Sequence, residues 1–325
     1  MKLNMLLPLI SISALLAAPA GAQQALSPTP APTPLVYKFK AGDIDRYKMV
    51  MKFQMNIAIP GMPAMPNGGA MEANMSMVSV LRSKVLGILP NGNARVRYAY
   101  ESVKMDMDMP GMPAAEKDKL DEAQAELAKQ MPVITAVVNK YGQIVSMEGL
   151  DKLAGVPPGT DMSKFFSGQM GFGLGTGSLV FPAEPVTVGD AWTQDIPIMG
   201  AGKLTVDSTV ESLNTKVGVK VGVKIKQDYY GHIDLADLMK AMLPALGAGA
   251  TQMPAMNGGM DMRGWGVAYV DPVKGKLIRS DADVDMSMKM TATAPASAPA
   301  ADGAPQAVNV NMNMNMKVNV INLPG

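Results

Sequence analysis

The 325-residue sequence contains no cysteine and a single histidine, His232. Without cysteine there is no disulfide, no thiolate metal site, no cysteine nucleophile and no acylated N-terminal cysteine. Any Ser-His-Asp site would have to use His232, and no G-x-S-x-G elbow accompanies it. We therefore expect no enzymatic activity and no cofactor, and we interpret His232 as a residue of the surface or of a helix start.

Neither sign of charge dominates, and long apolar runs are missing after the N-terminus. Lysine and arginine together number 29 and the acidic residues 28, which argues against nucleic acid as a partner. At the N-terminus, Lys2, an apolar stretch and Ala-Gly-Ala at residues 20–22 are typical of a signal peptide cleaved near Ala22. Its apolar part falls short of the about 20 residues that span a bilayer. We expect a periplasmic or secreted protein without a transmembrane segment.

Aromatic residues are also scarce, whereas methionine is abundant. The sequence has 6 Phe, 2 Trp and 31 Met. Methionine is unbranched and polarizable, so it can replace aromatic bulk in an apolar interior. Such an adaptable interior suits a carrier of varied hydrophobic ligands. An ordinary core of unusual composition is the alternative, and the sequence leaves both open.

Two proline-rich segments delimit the structured part of the chain. The composition predicts seven segments: a signal peptide (1–22), a Pro-rich linker (23–35), a first β-rich repeat (36–150), a Gly-rich connector with a short helix (151–182), a second β-rich repeat (183–290), a Pro/Ala-rich linker (291–307) and a C-terminal β-strand (308–322).

The two repeats share one order of predicted elements. Each opens with Gly-Asp and a later aromatic residue, Tyr47 in the first and Trp192 in the second. Three strands of period-two alternation follow, then a helix (113–132 or 234–244), then a hairpin. The expected fold is mainly β, a β-rich α+β fold of two related antiparallel β-β-β-α-β-β halves. The pattern leaves open two domains or one curved, unclosed sheet that cups the helices.

Several of these stretches carry a resemblance. "YKFKAGDIDRYKM", "ILPNGNARVRYAYESVKM", "YGQIVSMEGLDKL" and "FPAEPVTVGDAWTQ" resemble an uncharacterised family of exported bacterial proteins with Gly-Asp-aromatic strand openings. More distantly, the order of elements is similar to lipid carriers of the LolA and LppX type. The first resemblance implies no known activity. The second implies a curved, unclosed sheet that cups a helix over an apolar cavity, and a shared architecture alone does not give function.

The C-terminal stretch "VNVNMNMNMKVNVIN" permits two interpretations, a copper-binding methionine box or a strand. Valines and methionines alternate with asparagines without a break. Because the valines are in register with the methionines, Met occupies positions where apolar side chains belong. We therefore predict a strand that returns across the preceding linker and pairs with an edge of the main sheet.

Metal binding has its better candidates in loops. Met62, Met65, Met253 and Met256 lie among Pro and Gly, so strand periodicity does not require them. Thioethers are ligands suited to Cu(I). Asp281, Asp283 and Asp285 share one strand face and could attract Ca²⁺, although a solvated face explains them without an ion.

The sequence thus favours a non-catalytic exported binding or carrier protein with a Met-rich apolar interior. Its expected partner is a hydrophobic small molecule or lipid, or an envelope protein. The alternative is a periplasmic Cu(I)-binding protein that uses loop methionines. A carrier predicts an apolar cavity between sheet and helices, a copper protein predicts converging loop methionines, and an enzyme predicts a cleft containing His232 and a carboxylate.

Overall fold

The computed structural model describes residues 31–58, 70–108, 133–149, 179–198, 200–246, 256–293 and 307–324. These segments contain one helix, α1 (Leu235–Leu246). The strands of the described segments are β1 (Ile44–Ala58), β2 (Ala70–Ile88), β3 (Ala94–Asp108), β4 (Ile134–Val138), β5 (Ile144–Glu148), β6 (Ala191–Pro197), β7 (Gly202–Val217), β8 (Lys220–Asp234), β9 (Met256–Asp271), β10 (Lys276–Thr293) and β11 (Ala307–Leu323).

All eleven strands belong to one unclosed antiparallel sheet. Its order is β5-β4-β3-β2-β1-β11-β10-β9-β8-β7-β6. Each half of the chain contributes a five-stranded meander, β1 to β5 or β6 to β10. The mainly β prediction is confirmed, and the two halves share a single sheet.

The predicted C-terminal strand is present and pairs with the main sheet, but it occupies an inner position, where an edge position was expected. β11 pairs with β1 on one side, from Arg46–Leu323 to Ala58–Asn311. On its other side it pairs with β10, from Arg279–Ile321 to Thr293–Ala307. Each meander by itself would end in an unpaired edge, β1 or β10. One strand that pairs with both removes two aggregation-prone edges at once.

Period-two alternation translates directly into burial along β1. Tyr47, Met49 and Met51 are buried, while Lys48 and Lys52 are exposed. Alternation alone does not give burial at the start of β8, where Val221 has the same strand parity as the buried Val223. Gly218, with φ of 60°, forms the turn there, and Val221 is 51% exposed.

The Gly-Asp pairs that open the halves are turns. Gly42 and Gly189 have φ of 88° and 94°, a region that glycine enters at low cost. Tyr47 then enters the core at 2% exposure. Trp192 is half-buried, and its Nε1–H donates a 2.8 Å hydrogen bond to the Val180 carbonyl.

The core covers one face of the sheet. Residues 33–39 and 179–186 pack on this face through side chains such as Leu35, Tyr37 and Phe181. The Tyr37 and Phe181 rings stack with centroids 4.8 Å apart. The same face is therefore apolar from the first meander to the second.

Helix α1 lies against this apolar face. Asp234 caps it, because its Oδ1 accepts a 2.9 Å hydrogen bond from the Asp237 N–H. Leu235 is buried, and Leu238 packs against the main core. The helices predicted at 113–132 and within 151–182, like the signal peptide, lie outside the described residues. In the described segments, no helix combines the length and apolar character needed to cross a bilayer.

Candidate functional site

Methionines of six adjacent strands lie on the apolar face of the sheet. Directly paired residues of an antiparallel sheet share a face, so the strand register places these side chains together. We call this set the methionine face: Met49, Met51 and Met55 of β1, Met71, Met75 and Met77 of β2, Met105 and Met107 of β3, Met260 and Met262 of β9, Met286, Met288 and Met290 of β10, and Met312, Met314 and Met316 of β11.

The methionine face is built in rows that cross the strands. Met288 pairs with Met312 of β11 on one side and with Met260 of β9 on the other. The neighbouring row has the same composition, with Met286 between Met314 and Met262. Cβ atoms of directly paired residues are about 4.5–5.5 Å apart. The thioether side chains thus form a continuous surface across β11, β10 and β9.

This face changes from buried to half-buried along the strands. On β1, the inward side chains from Tyr47 to Met51 are buried, whereas Phe53, Met55 and Ile57 are only half-buried. On β2, Met71 is 39% exposed. The core therefore continues without interruption into a half-buried apolar surface.

The loop methionines proposed for Cu(I) fall almost entirely outside the described part of the chain. Met62, Met65 and Met253 lie outside the described residues. Met256 is the first residue of β9, and its side chain also lies outside the described part of the structure. Within the described segments, no group of three or more His, Asp or Glu side chains has the arrangement of a metal site.

The aspartates of β10 face the asparagines of β11. Asn315 Nδ2 donates to Asp283 at 2.7 Å and to Asp285 at 2.8 Å. Asp281 forms an ion pair with Arg279 at 2.7 Å and accepts a hydrogen bond from Asn319. These carboxylates have side-chain partners and form part of the polar face.

The opposite face holds an open groove of about 1020 Å³. Two rows of cross-strand partners line it, together with Gly202, Gly231, Met262, Met286 and Met314 at neighbouring positions along the strands. We call this recess the polar groove. One row contains Lys203, His232, Asp261, Ser287, Asn313 and Asn56, and the other contains Thr205, Tyr230, Arg263, Asp285, Asn315 and Gln54. A single groove bounded by β1 and β7 requires the sheet to curve toward its polar face.

Ion pairs and hydrogen bonds fix one end of the polar groove. Lys203 Nζ lies 2.6 Å from Asp195 Oδ2, and Thr205 Oγ1 donates to Asp195 Oδ1 at 2.7 Å. The hydrogen bonds from Lys203 and Thr205 hold the pKa of Asp195 below its usual range. This carboxylate therefore stays ionised and keeps both neighbours in place.

His232 belongs to β8 and lies in the polar groove, just before helix α1 begins. Its Nδ1 is 2.8 Å from Asp261 Oδ1, so the cleft with His232 and a carboxylate does exist. Ser287 pairs with Asp261 from the other side. The order across the strands is thus His-Asp-Ser, with the carboxylate in the middle and Ser287 about 10 Å from His232. A Ser-His-Asp triad needs the imidazole between the other two.

Two exposed aromatic residues on the polar face were missed by the sequence analysis. Tyr230 lines the polar groove and is 46% exposed, and Trp265 beside it is 53% exposed. Asp228 pairs with Trp265 and Tyr230 pairs with Arg263, so the two rings are diagonal neighbours. The sequence contains a signal for them, because both aromatic residues stand at positions of an alternating strand that otherwise hold polar side chains.

Comparison of the sequence with protein-family models and with curated proteins finds no match. Among solved structures, the chain is similar to one described as showing lipid–protein interactions in lipovitellin, at 10% identity and a TM-score of 0.41. That alignment covers 88% of this chain and 26% of the lipovitellin chain. A mutant porin of Rh. blastica aligns over 86% of this chain and 99% of its own, at 7% identity and a TM-score of 0.18.

OpdQ of Pseudomonas aeruginosa gives similar values, 7% identity and a TM-score of 0.18 over 87% of this chain and 99% of its own. Likenesses at this level carry no argument about what this chain binds. The resemblance to exported bacterial proteins stays a prediction.

Proposed function

We propose that this chain is a non-catalytic exported binding or carrier protein whose methionine face holds a hydrophobic ligand. The observation that carries the proposal is the register, which places methionines of six adjacent strands on one face that continues the core. When a ligand covers a half-buried apolar surface of this extent, apolar area leaves water and binding is favoured.

The chemistry of methionine indicates the kind of ligand. Three rotatable bonds and a polarizable sulfur let each side chain adapt to the shape that it contacts. Met288 with its neighbours Met260 and Met312 offers no charged group and no strong hydrogen-bond donor on this face. Acyl chains and other flexible hydrocarbons of varied shape fit such a surface. An exported protein of this kind would carry them through the envelope.

Native mass spectrometry of the protein purified from its own host tests the proposal. We expect a bound mass in the range of a lipid that is lost on denaturation. Met312→Lys places a charge on the methionine face and should abolish this mass. Asn311→Lys, one residue away on the exposed opposite face of β11, should retain it. Bare wild-type protein, or equal loss in both variants, would refute a hydrophobic-ligand site on this face.

Cu(I) binding is the second candidate, and one observation favours it. Met260, Met288 and Met312 form a row of three paired thioether side chains, and thioethers suit Cu(I). Leucine at all three positions keeps the face apolar but removes the sulfurs. If the function is hydrophobic binding, the leucine variant retains the lipid-sized mass. If the function is copper binding, added Cu(I) binds the wild type stoichiometrically and the leucine variant does not.

A further inference from the structure

We propose that the polar groove is a second binding site, independent of the methionine face, and that its ligand is a neutral oligosaccharide. Four properties support this proposal: the balanced charge of the groove, its unpaired amides, its exposed Tyr230 ring with Trp265 beside it, and its length.

The charges that line the groove balance. Lys203 and Arg263 face Asp261 and Asp285. Three of these four already have partners, Lys203 with Asp195, Asp261 with His232 and Asp285 with Asn315. Such a groove exerts little net attraction on either anions or cations. A highly charged ligand is therefore disfavoured, and a neutral polar one fits.

The groove also presents planar hydrogen-bonding groups that a ligand could use. Within the described part of the chain, the side chains of Gln54, Asn56, Asn313 and Arg263 make no hydrogen bond, although all four line the groove. Each amide offers two N–H donors and one carbonyl acceptor, and the guanidinium offers a fork of donors. Sugar hydroxyls both donate and accept, so adjacent hydroxyls of a pyranose match these groups.

The aromatic rings supply the apolar part of saccharide recognition. Tyr230 and Trp265 expose about half of their surfaces on the polar face, where burial in a core does not explain them. The C–H face of a pyranose ring packs on such aromatic faces while its hydroxyls bond to the neighbouring amides.

The dimensions favour a chain of sugars over a single one. Six strands from β1 to β7 line the groove, which corresponds to about 24 Å at the usual strand spacing. A second recess of about 320 Å³ continues along β1, β2 and β3 and shares Gln54 and Asn315 with the groove. A linear oligosaccharide that crosses the strands would contact both rows of side chains.

Isothermal titration calorimetry on the full chain tests this site with four neutral probes: cellohexaose, xylohexaose, chitohexaose and maltohexaose. We expect at least one to bind and to change the fluorescence of the exposed Trp265. Tyr230→Ala and Arg263→Ala should each weaken that binding roughly tenfold, as expected for loss of a stacked ring or a hydrogen-bonding fork. Tyr230→Phe keeps the ring and should bind nearly as well as the wild type.

Tyr269→Ala is the matched control, since Tyr269 lies on the same face of β9 and outside the groove. It should leave saccharide affinity unchanged, and circular dichroism of all variants excludes loss of folding as the cause. No binding of any of the four probes at about 10 mM would overturn the proposal, as would binding that Tyr230→Ala leaves intact.

Either proposed site can be refuted by experiment without refuting the other. Met312→Lys removes the hydrophobic ligand and should leave saccharide binding unchanged, because Met312 is not part of the groove. Tyr230→Ala should weaken saccharide binding and leave the hydrophobic ligand bound. A preference for an acidic hexasaccharide, such as hexagalacturonate, over all neutral probes would also refute a neutral ligand.

Discussion

Three tyrosines show at the residue scale how much the core depends on uncharged side chains. Tyr37, Tyr47 and Tyr229 are buried. Desolvation raises the pKa of each phenol well above its ordinary value near 10. The Tyr37 hydroxyl donates to the Leu179 carbonyl at 3.0 Å. The folded protein therefore holds these groups protonated in a range where the unfolded chain ionises.

The sign of this linkage predicts loss of stability at alkaline pH. Above about pH 10 the unfolded chain releases these phenolic protons and the folded chain keeps them, so each buried tyrosine costs about 1.4 kcal/mol per pH unit. Below pH 10 we expect these tyrosines to make a constant contribution to the free energy of unfolding measured in urea. Above pH 10 we expect the free energy of unfolding to fall. Tyr47→Phe should make this fall shallower. A slope for Tyr47→Phe that equals the wild-type slope would contradict the prediction.

At the element scale, β11 is the strand that unites the two meanders. It pairs over its length with β1 and with β10, and its inward residues Met316, Val318 and Val320 are buried. Removing one ladder hydrogen bond in its middle therefore affects the contact between the halves of the molecule. The same change in an edge strand affects only one neighbour.

Proline substitutions measure this difference. Val318→Pro removes a backbone donor from the inner strand β11, and we expect a loss of about 3 kcal/mol or more. Val145→Pro is the control, because Val145 is 59% exposed in the edge strand β5 and is the residue that the register with β4 leaves without a partner. Proline is tolerated at edges and bulges. Urea denaturation should show a much lower midpoint for Val318→Pro only, and similar midpoints would mean that β11 does not unite the halves.

The strands themselves could be predicted from the sequence, whereas their order could not. Alternation fixes which side chains share a face, as in β1 and β11, because the side-chain period of a strand is two. It carries no information about which strand lies beside which. The inner position of β11 arises from pairing with a strand about 270 residues earlier, a contact that leaves no local pattern in either segment.

At the scale of the whole molecule, the methionine face can be predicted from the sequence, whereas the polar groove on the other face of the sheet cannot. The methionine face follows from parity alone, since each Met in an alternating strand joins the apolar side. The polar groove also requires the register and the curvature of the sheet, which bring Gln54 of β1 and Thr205 of β7 to the walls of one recess. Both are properties of the assembled sheet, so no single strand predicts the groove.

Methionine oxidation by hydrogen peroxide can report on the whole methionine face in one experiment. Peroxide transfers one oxygen atom to an accessible thioether and leaves water, and the resulting sulfoxide is polar. Met49 is fully buried and Met71 is 39% exposed. Peptide mapping by mass spectrometry should therefore show Met71 oxidised early and Met49 late. Equal rates for these two would contradict the placement of the core.

Added palmitate extends this experiment to the proposed ligand. Bound hydrocarbon should slow the oxidation of Met286, Met288 and Met312, because it covers their sulfurs. Met147 of β5 is the internal control, since it packs against the separate core cluster of the first meander and lies outside the six strands of the methionine face. Its oxidation rate should not change. Protection of Met147 to the same degree would indicate global stabilisation or scavenging of peroxide. Protection confined to the methionine face would place the hydrocarbon on that face, because only coverage of those sulfurs slows their reaction selectively.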